Sequence, residues 1–179
     1  MKQYKEEFDR GHTRLLTGER IRKDDPIPET VGTIDELSAF LGFAATFSKH
    51  EETTDLIRKI QRDLFRLNAD LVAPTSHKVP RLLKQHVEEM EQLMQAHEER
   101  LPPLTKFVFA SGSPAGAALH LARTICRRAE RRLTTAHFAR AVNPEILRYL
   151  NRLSDLLFSV ARMENIREKE PEVVWEATE

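Results

Sequence analysis

Six arginines and one glutamate fall between residues 123 and 140, a concentration of positive charge that the rest of the chain does not share. Arg123, Arg127 and Glu130 are spaced i, i+4 and i+7, so a helix puts them on one face, with His120 a turn upstream. Arg128, Arg131, Arg132 and Arg140 add further charge. Guanidinium groups suit phosphate oxygens because their planar fork of N–H donors can pair with two oxygens in bidentate fashion. On residue type alone the stripe is a solvated surface, a nucleic-acid face or an anion site. A second cluster, Thr17-Gly18-Glu19-Arg20-Ile21-Arg22-Lys23-Asp24-Asp25, sets glycine and basic side chains beside acids. Such a loop either faces solvent or holds a polyphosphate with its metal. Asp35 is either a surface carboxylate complementing a helix dipole or an ion-pair partner for an arginine. Asn151 and Asp155, one turn apart beside an apolar stripe, need polar partners, which structure or a ligand can supply.

Other chemistries lack their residues. No Walker A sequence, dinucleotide fingerprint or nucleophile elbow occurs. The seven histidines show no paired helical spacing with carboxylates, so no protein-ligated metal is expected. Cys126 has no His or Asn placed to activate it and reads as a packed thiol.

The elements that must position these groups are helices. A first helix lies within 28–48, where Thr33 and Glu36 offer a capping box, although the stripe Val31, Ile34, Leu37, Leu41 and Ala44 favours an earlier start at Pro28. Leu56, Ile60, Leu64, Leu67 and Leu71 mark a second over about 51–73, ended by Pro74. Leu83, Val87, Met90 and Met94 mark a third over about 80–100, broken by Pro102 and Pro103. Phe107-Val108-Phe109 is a short apolar run. Ser113 and Pro114 then open a fourth helix that reaches about Phe138. Asn143-Pro144 starts a fifth, carrying Ile146, Leu150, Leu153, Leu157 and Val160, and periodicity fades after Asn165. Residues 1–27 read as an ordered loop or a flexible arm, and the acidic end with Trp175 as a tail. Five helices with no convincing strand specify an all-α bundle.

The 179 residues suit one domain with a single core. Lys plus Arg and Asp plus Glu are 28 each, so net charge argues for neither nucleic acid nor membrane. No apolar run approaches the roughly 20 residues that cross a bilayer. One cysteine and a polar, acid-bearing start fit a cytoplasmic protein.

Two long stretches resemble a known family. Thr17 through Asp25, followed by Val31-Gly32-Thr33-Ile34-Asp35-Glu36-Leu37, is similar to the N-terminal signature of PduO-type ATP:corrinoid adenosyltransferases. Ala118 through Arg132, and Asn143-Pro144 with Tyr149 through Phe158, resemble that family's remaining motifs. The resemblance implies a five-helix homotrimer with active sites between subunits, and a reaction in which ATP gives its adenosyl group to cob(I)alamin and triphosphate leaves. It divides the chain into a nucleotide-binding segment (1–27), the bundle (28–167) and a tail (168–179). It implies that Asp9, Gly11, Thr13, Lys23, Arg127, Arg128, Glu130 and Asn151 bind ATP with Mg2+. It also implies that Arg123 pairs with Asp35 of the adjacent subunit on the corrinoid side, and that Phe107 occupies the corrin face where the lower axial ligand sits. A reductase and an adenosylcobalamin-dependent enzyme are the further partners implied. Lys5-Glu6-Glu7-Phe8-Asp9 departs from the family's Thr-Lys-Thr-Gly-Asp opening, and its two carboxylates would repel a triphosphate. A corrinoid carrier of the same fold is therefore the alternative.

Overall fold

The computed structural model describes residues 10–73 and 78–176. Five helices follow a short hairpin: β1 (His12–Arg14), β2 (Arg20–Arg22), α1 (Pro26–Ala45), α2 (Glu51–Leu71), α3 (Lys84–Glu98), α4 (Pro114–Ala139) and α5 (Pro144–Arg167). The chain is thus helical as the periodicity predicts, but the expectation of no strand needs correction. β1 and β2 pair antiparallel, Thr13 opposite Ile21, within the stretch read as loop or arm. Of the two strands only Ile21 is buried, so the polar residues around it mask the alternation that would betray a strand.

Helix starts follow their caps. Asp25 accepts the Ile27 amide at 3.0 Å and Pro26 occupies the first turn, so α1 begins before Pro28. The Thr33 capping box does not form: its hydroxyl donates to the Glu29 carbonyl inside the helix at 2.7 Å. Ser113 accepts the Gly116 amide at 3.0 Å and Asn143 that of Glu145 at 3.0 Å, as their positions before proline predict. α2 ends at Leu71; Pro74, expected to stop it, lies outside the described residues. α3 starts later than its apolar stripe suggests. The buried Asp70 carboxylate accepts from Arg81 at 2.6 Å, the Leu82 amide at 2.9 Å and Asn143 at 2.7 Å, which pins residues 81–82 outside the helix.

α4 lies between α1 and α5, with α2 flanking α1 and α3 flanking α5. Ile34, Leu37, Leu41, Ile60, Leu64, Leu67, Val87 and Met90 join the whole α5 stripe in one core. At Gly116 a side chain would meet Asn165 Oδ1 at 1.9 Å, so α4 and α5 cross closely only because that position is glycine. Asn165 in turn accepts the Ser113 amide at 3.0 Å and donates to the Ser111 carbonyl at 3.0 Å. The segment read as a tail does not trail away. After α5 the chain reverses at Lys169, whose φ is 59°, and residues 173–175 pair with residues 107–109 through a Val108–Val174 bridge. No helix among the described residues is long and apolar enough to cross a membrane.

Candidate functional site

α4 and α5 together present one polar groove. In its first part, a cavity of about 350 Å³ is lined by Arg123 and Arg127 from α4, by Ser154, Asp155, Phe158 and Ser159 from α5, and by Glu98 from α3. One turn back toward the start of α5 a second cavity, about 280 Å³, is bordered by Glu130, Leu147, Arg148, Asn151 and Arg152. Asn151 donates to Glu130 at 3.0 Å, so the amide and the carboxylate act as one fixed polar unit. The helical spacing of Arg123, Arg127 and Glu130 does place them along the same groove.

The two arginines differ in setting. Arg127 is exposed, and no described residue forms an ion pair with it. Arg123 is half-buried with its guanidinium 5.8 Å over the Phe158 ring, and its Nε is buried without a hydrogen-bond partner among the described residues. Burial, and next the charge of Arg127, hold its pKa below the ordinary arginine value. An orphaned donor of this kind is costly unless something outside the chain accepts from it.

The structure separates other sequence-predicted residues. Asp35 is exposed on α1 and accepts from Asn68 of α2 at 2.8 Å, rather than meeting Arg123 of its own chain. Arg128 points away from the groove and pairs with Glu36 of α1. Gly11 and Lys23 close the hairpin through an amide-to-carbonyl bond of 2.8 Å, and Thr13 is half-buried between them. Asp25 at the start of α1 pairs with Arg140 at 3.2 Å, so the hairpin sits beyond the far end of α4. Arg140 is thirteen residues from Arg127, about 20 Å along the axis. Phe107 lies at the opposite end, 80% exposed and 6.4 Å from the Trp175 ring. Asp9 lies outside the described residues. Cys126 is buried with its thiol pKa pushed up, chiefly by burial, which fits a packed thiol.

Sequence reasoning missed Glu98, Ser154 and Ser159 as groove residues. Ser154 belongs to the quoted α5 motif and could have been found there, whereas Ser159 falls just past its end; Glu98, at the end of an otherwise ordinary surface helix, carries no signal.

His120 behaves as a structural group. It is buried against Phe158 at 5.7 Å, and burial, then the Arg123 charge, push its pKa down to about 4. Arg162 also disfavours its proton and Glu172 favours it. Because the unfolded chain takes up a proton near pH 6.5 and the folded one does not, His120 makes stability fall between pH 6.5 and about 4. That loss is on the order of 3 kcal/mol. His120→Leu should lose less stability than the parent between pH 7 and pH 5 in chemical denaturation. A ring proton titrating with an ordinary midpoint by NMR would contradict this.

Comparison with known proteins gives a consistent answer. The family model described as "Cobalamin adenosyltransferase" matches residues 3–164. The chain is 39% identical to a corrinoid adenosyltransferase of Bacillus subtilis (strain 168) over 98% of its own length and 93% of that protein. It is 37% identical to the corrinoid adenosyltransferase MMAB of Bos taurus, over 96% of this chain and 75% of that one. Among solved structures, it superposes on a phenylalanine-to-alanine variant of a PduO-type ATP:corrinoid adenosyltransferase from Lactobacillus reuteri, complexed with cobalamin and ATP. The TM-score is 0.92 at 29% identity, covering 98% of this chain and 100% of that one. An arginine-to-lysine variant from the same organism, complexed with ATP, gives 0.90 at 30% identity, covering 97% and 99%.

Proposed function

Since the chain belongs to the cobalamin adenosyltransferase family, we propose that it transfers the 5′-deoxyadenosyl group of ATP to the cobalt of cob(I)alamin, releasing triphosphate. The observation that carries this reading is the α4–α5 groove, where Arg127, without an ion-pair partner among the described residues, stands beside the fixed Glu130–Asn151 pair.

The chemistry asks for such a groove. Cobalt attacks the 5′ carbon in line with the departing triphosphate, and holding the two reactants in that geometry is worth about 7–11 kcal/mol. Glu130 and Asn151 supply an acceptor and a donor that hold the nucleotide. Arg127 and Lys23, with magnesium carried in on the phosphates, meet the negative charge that grows on the leaving group. Phe107 covers the lower corrin face with hydrocarbon and excludes water and other donors from cobalt, which eases access to the low-valent state.

We further assign a homotrimer with each site shared by two protomers. Two features support this. The hairpin that carries Lys23 leads into Asp25, which meets Arg140 about 20 Å along the axis from Arg127, and Arg123 keeps an orphaned donor. The face bearing Asp35 and Asn68 also exposes Phe43 and Phe65, the latter 70% accessible, an apolar surface that a neighbour would cover. Asp35 of one protomer then meets Arg123 of the next.

The test is anaerobic incubation of cob(I)alamin with Mg-ATP, followed by absorbance. The adenosylcobalamin spectrum should appear; corrinoid binding without conversion would identify a carrier instead. Phe107→Ala should depress turnover with ATP affinity nearly preserved, measured by steady-state kinetics and calorimetric titration. A pure loss of ATP binding would refute the axial-face assignment.

A further inference from the structure

Phe107 has little of its own to hold it. Its side chain is 80% exposed, and Lys106 and Phe109 beside it are exposed as well. What fixes its backbone is the returning C-terminal strand: the Phe107 carbonyl accepts the Trp175 amide at 2.8 Å, and the Phe109 amide donates to the Val173 carbonyl at 2.8 Å. A two-stranded contact this short does not persist in water unaided. The strand needs an anchor.

That anchor is Arg162. It is buried on α5, 5% accessible, and grips Glu172 with both arms of its fork: Nε donates to Oε1 at 2.5 Å and Nη2 to Oε2 at 3.1 Å. Nη2 also donates to the Pro102 carbonyl at 2.8 Å, on the loop that leads to Phe107. Arg162 therefore ties together both chain segments that meet at Phe107. Its guanidinium lies 5.9 Å over the Phe158 ring, the ring that also carries Arg123 at 5.8 Å. An unbroken line of contacts thus runs from the groove arginine through Phe158, Arg162 and Glu172 to the strand beside Phe107. Bidentate, charge-assisted pairs are among the strongest hydrogen-bonded links side chains make, and their geometry is specific.

We propose that Arg162 and Glu172 are a positioning pair for the transfer reaction, holding Phe107 at a fixed height relative to Arg123 so that the aromatic ring keeps the lower base off cobalt. This assignment rests on the axial-face reading of Phe107. An aromatic group on a loose loop would yield to a returning nitrogen base; one clamped to α5 does not.

The test reads the spectrum on the protein loaded with Mg-ATP and cob(II)alamin, and turnover after an anaerobic chemical reductant has converted the cob(II)alamin to cob(I)alamin. Glu172→Gln keeps the shape of the side chain and removes its charge. It should lower kcat by about 10- to 100-fold while leaving KM for ATP unchanged. It should also restore the nitrogen superhyperfine splitting of a base-bound cobalt in the electron paramagnetic resonance spectrum. Phe107→Ala should restore the same signal, and the double variant should be no slower than Phe107→Ala alone, since one residue acts through the other. If Glu172→Gln destabilises the fold, Trp175→Pro, which loses the strand amide far from the core, should turn over more slowly than Trp175→Ala, which keeps it. A parental rate and spectrum for Glu172→Gln beside an altered Phe107→Ala overturns the clamp and leaves the axial-face reading intact. A parental spectrum for Phe107→Ala sinks that reading, and the clamp with it. Equal rates for the two Trp175 variants also overturn the clamp.

Discussion

Replacing Arg127 with alanine should reduce adenosyl transfer by about 10²–10³-fold, with helix content and melting temperature close to those of the parent. The two halves of this expectation have separate causes. Arg127 is exposed and forms no ion pair with a described residue, so its removal leaves no buried charge behind. It even relieves the repulsion that it exerts on Arg123. In the proposed reaction, however, triphosphate charge would develop where this guanidinium stands, and a donor aimed at developing charge acts more on the transition state than on bound ATP. Arg127→Lys should fall between the two, because an ammonium keeps the charge but loses the fork. The measurement is single-turnover conversion of cob(I)alamin at saturating Mg-ATP. An unchanged rate would remove Arg127 from the site.

The second large effect belongs to Asp35 and Arg123. Truncating one member of a desolvated charge pair across an interface costs about 2–5 kcal/mol, at least about thirtyfold in a dissociation constant. Asp35→Ala and Arg123→Ala should each weaken association of the protomers by that amount, measured by dilution in analytical ultracentrifugation, and the double variant should be little worse than either single one. The alternative makes an opposite forecast. If Asp35 serves only Asn68, which it meets at 2.8 Å within the chain, the two substitutions act on separate contacts and their effects add.

The legible part of the molecule was the part governed by local rules. Ser113 before Pro114, and Asn143 before Pro144, announce helix starts because a side-chain oxygen and a ring without an amide suit those positions whatever surrounds them. The groove arginines were legible for a similar reason, since i, i+4 and i+7 share a face on any helix. What the residues hid was set by distant contacts. Nothing around Arg81 and Leu82 indicates that Asp70 will hold them out of α3. Val173-Val174-Trp175 is too short to show a strand period, and its partner at residues 107–109 lies more than sixty residues away. Arg128 shows the limit of motif reading: it stands among residues assigned to the nucleotide, yet in this chain its guanidinium is engaged by Glu36. Asp35 shows another limit, since the partner proposed for it would belong to a second copy, while within the chain it meets Asn68.

The central claim is that a guanidinium face on α4 meets ATP beside a corrin in a cleft built by two protomers. A crystal structure of the protein with Mg-ATP and cobalamin tests it most directly. It should place Arg127 within hydrogen-bonding distance of the triphosphate and Asp35 of one protomer against Arg123 of its neighbour. Those side chains facing bulk solvent, away from any subunit boundary, would contradict it.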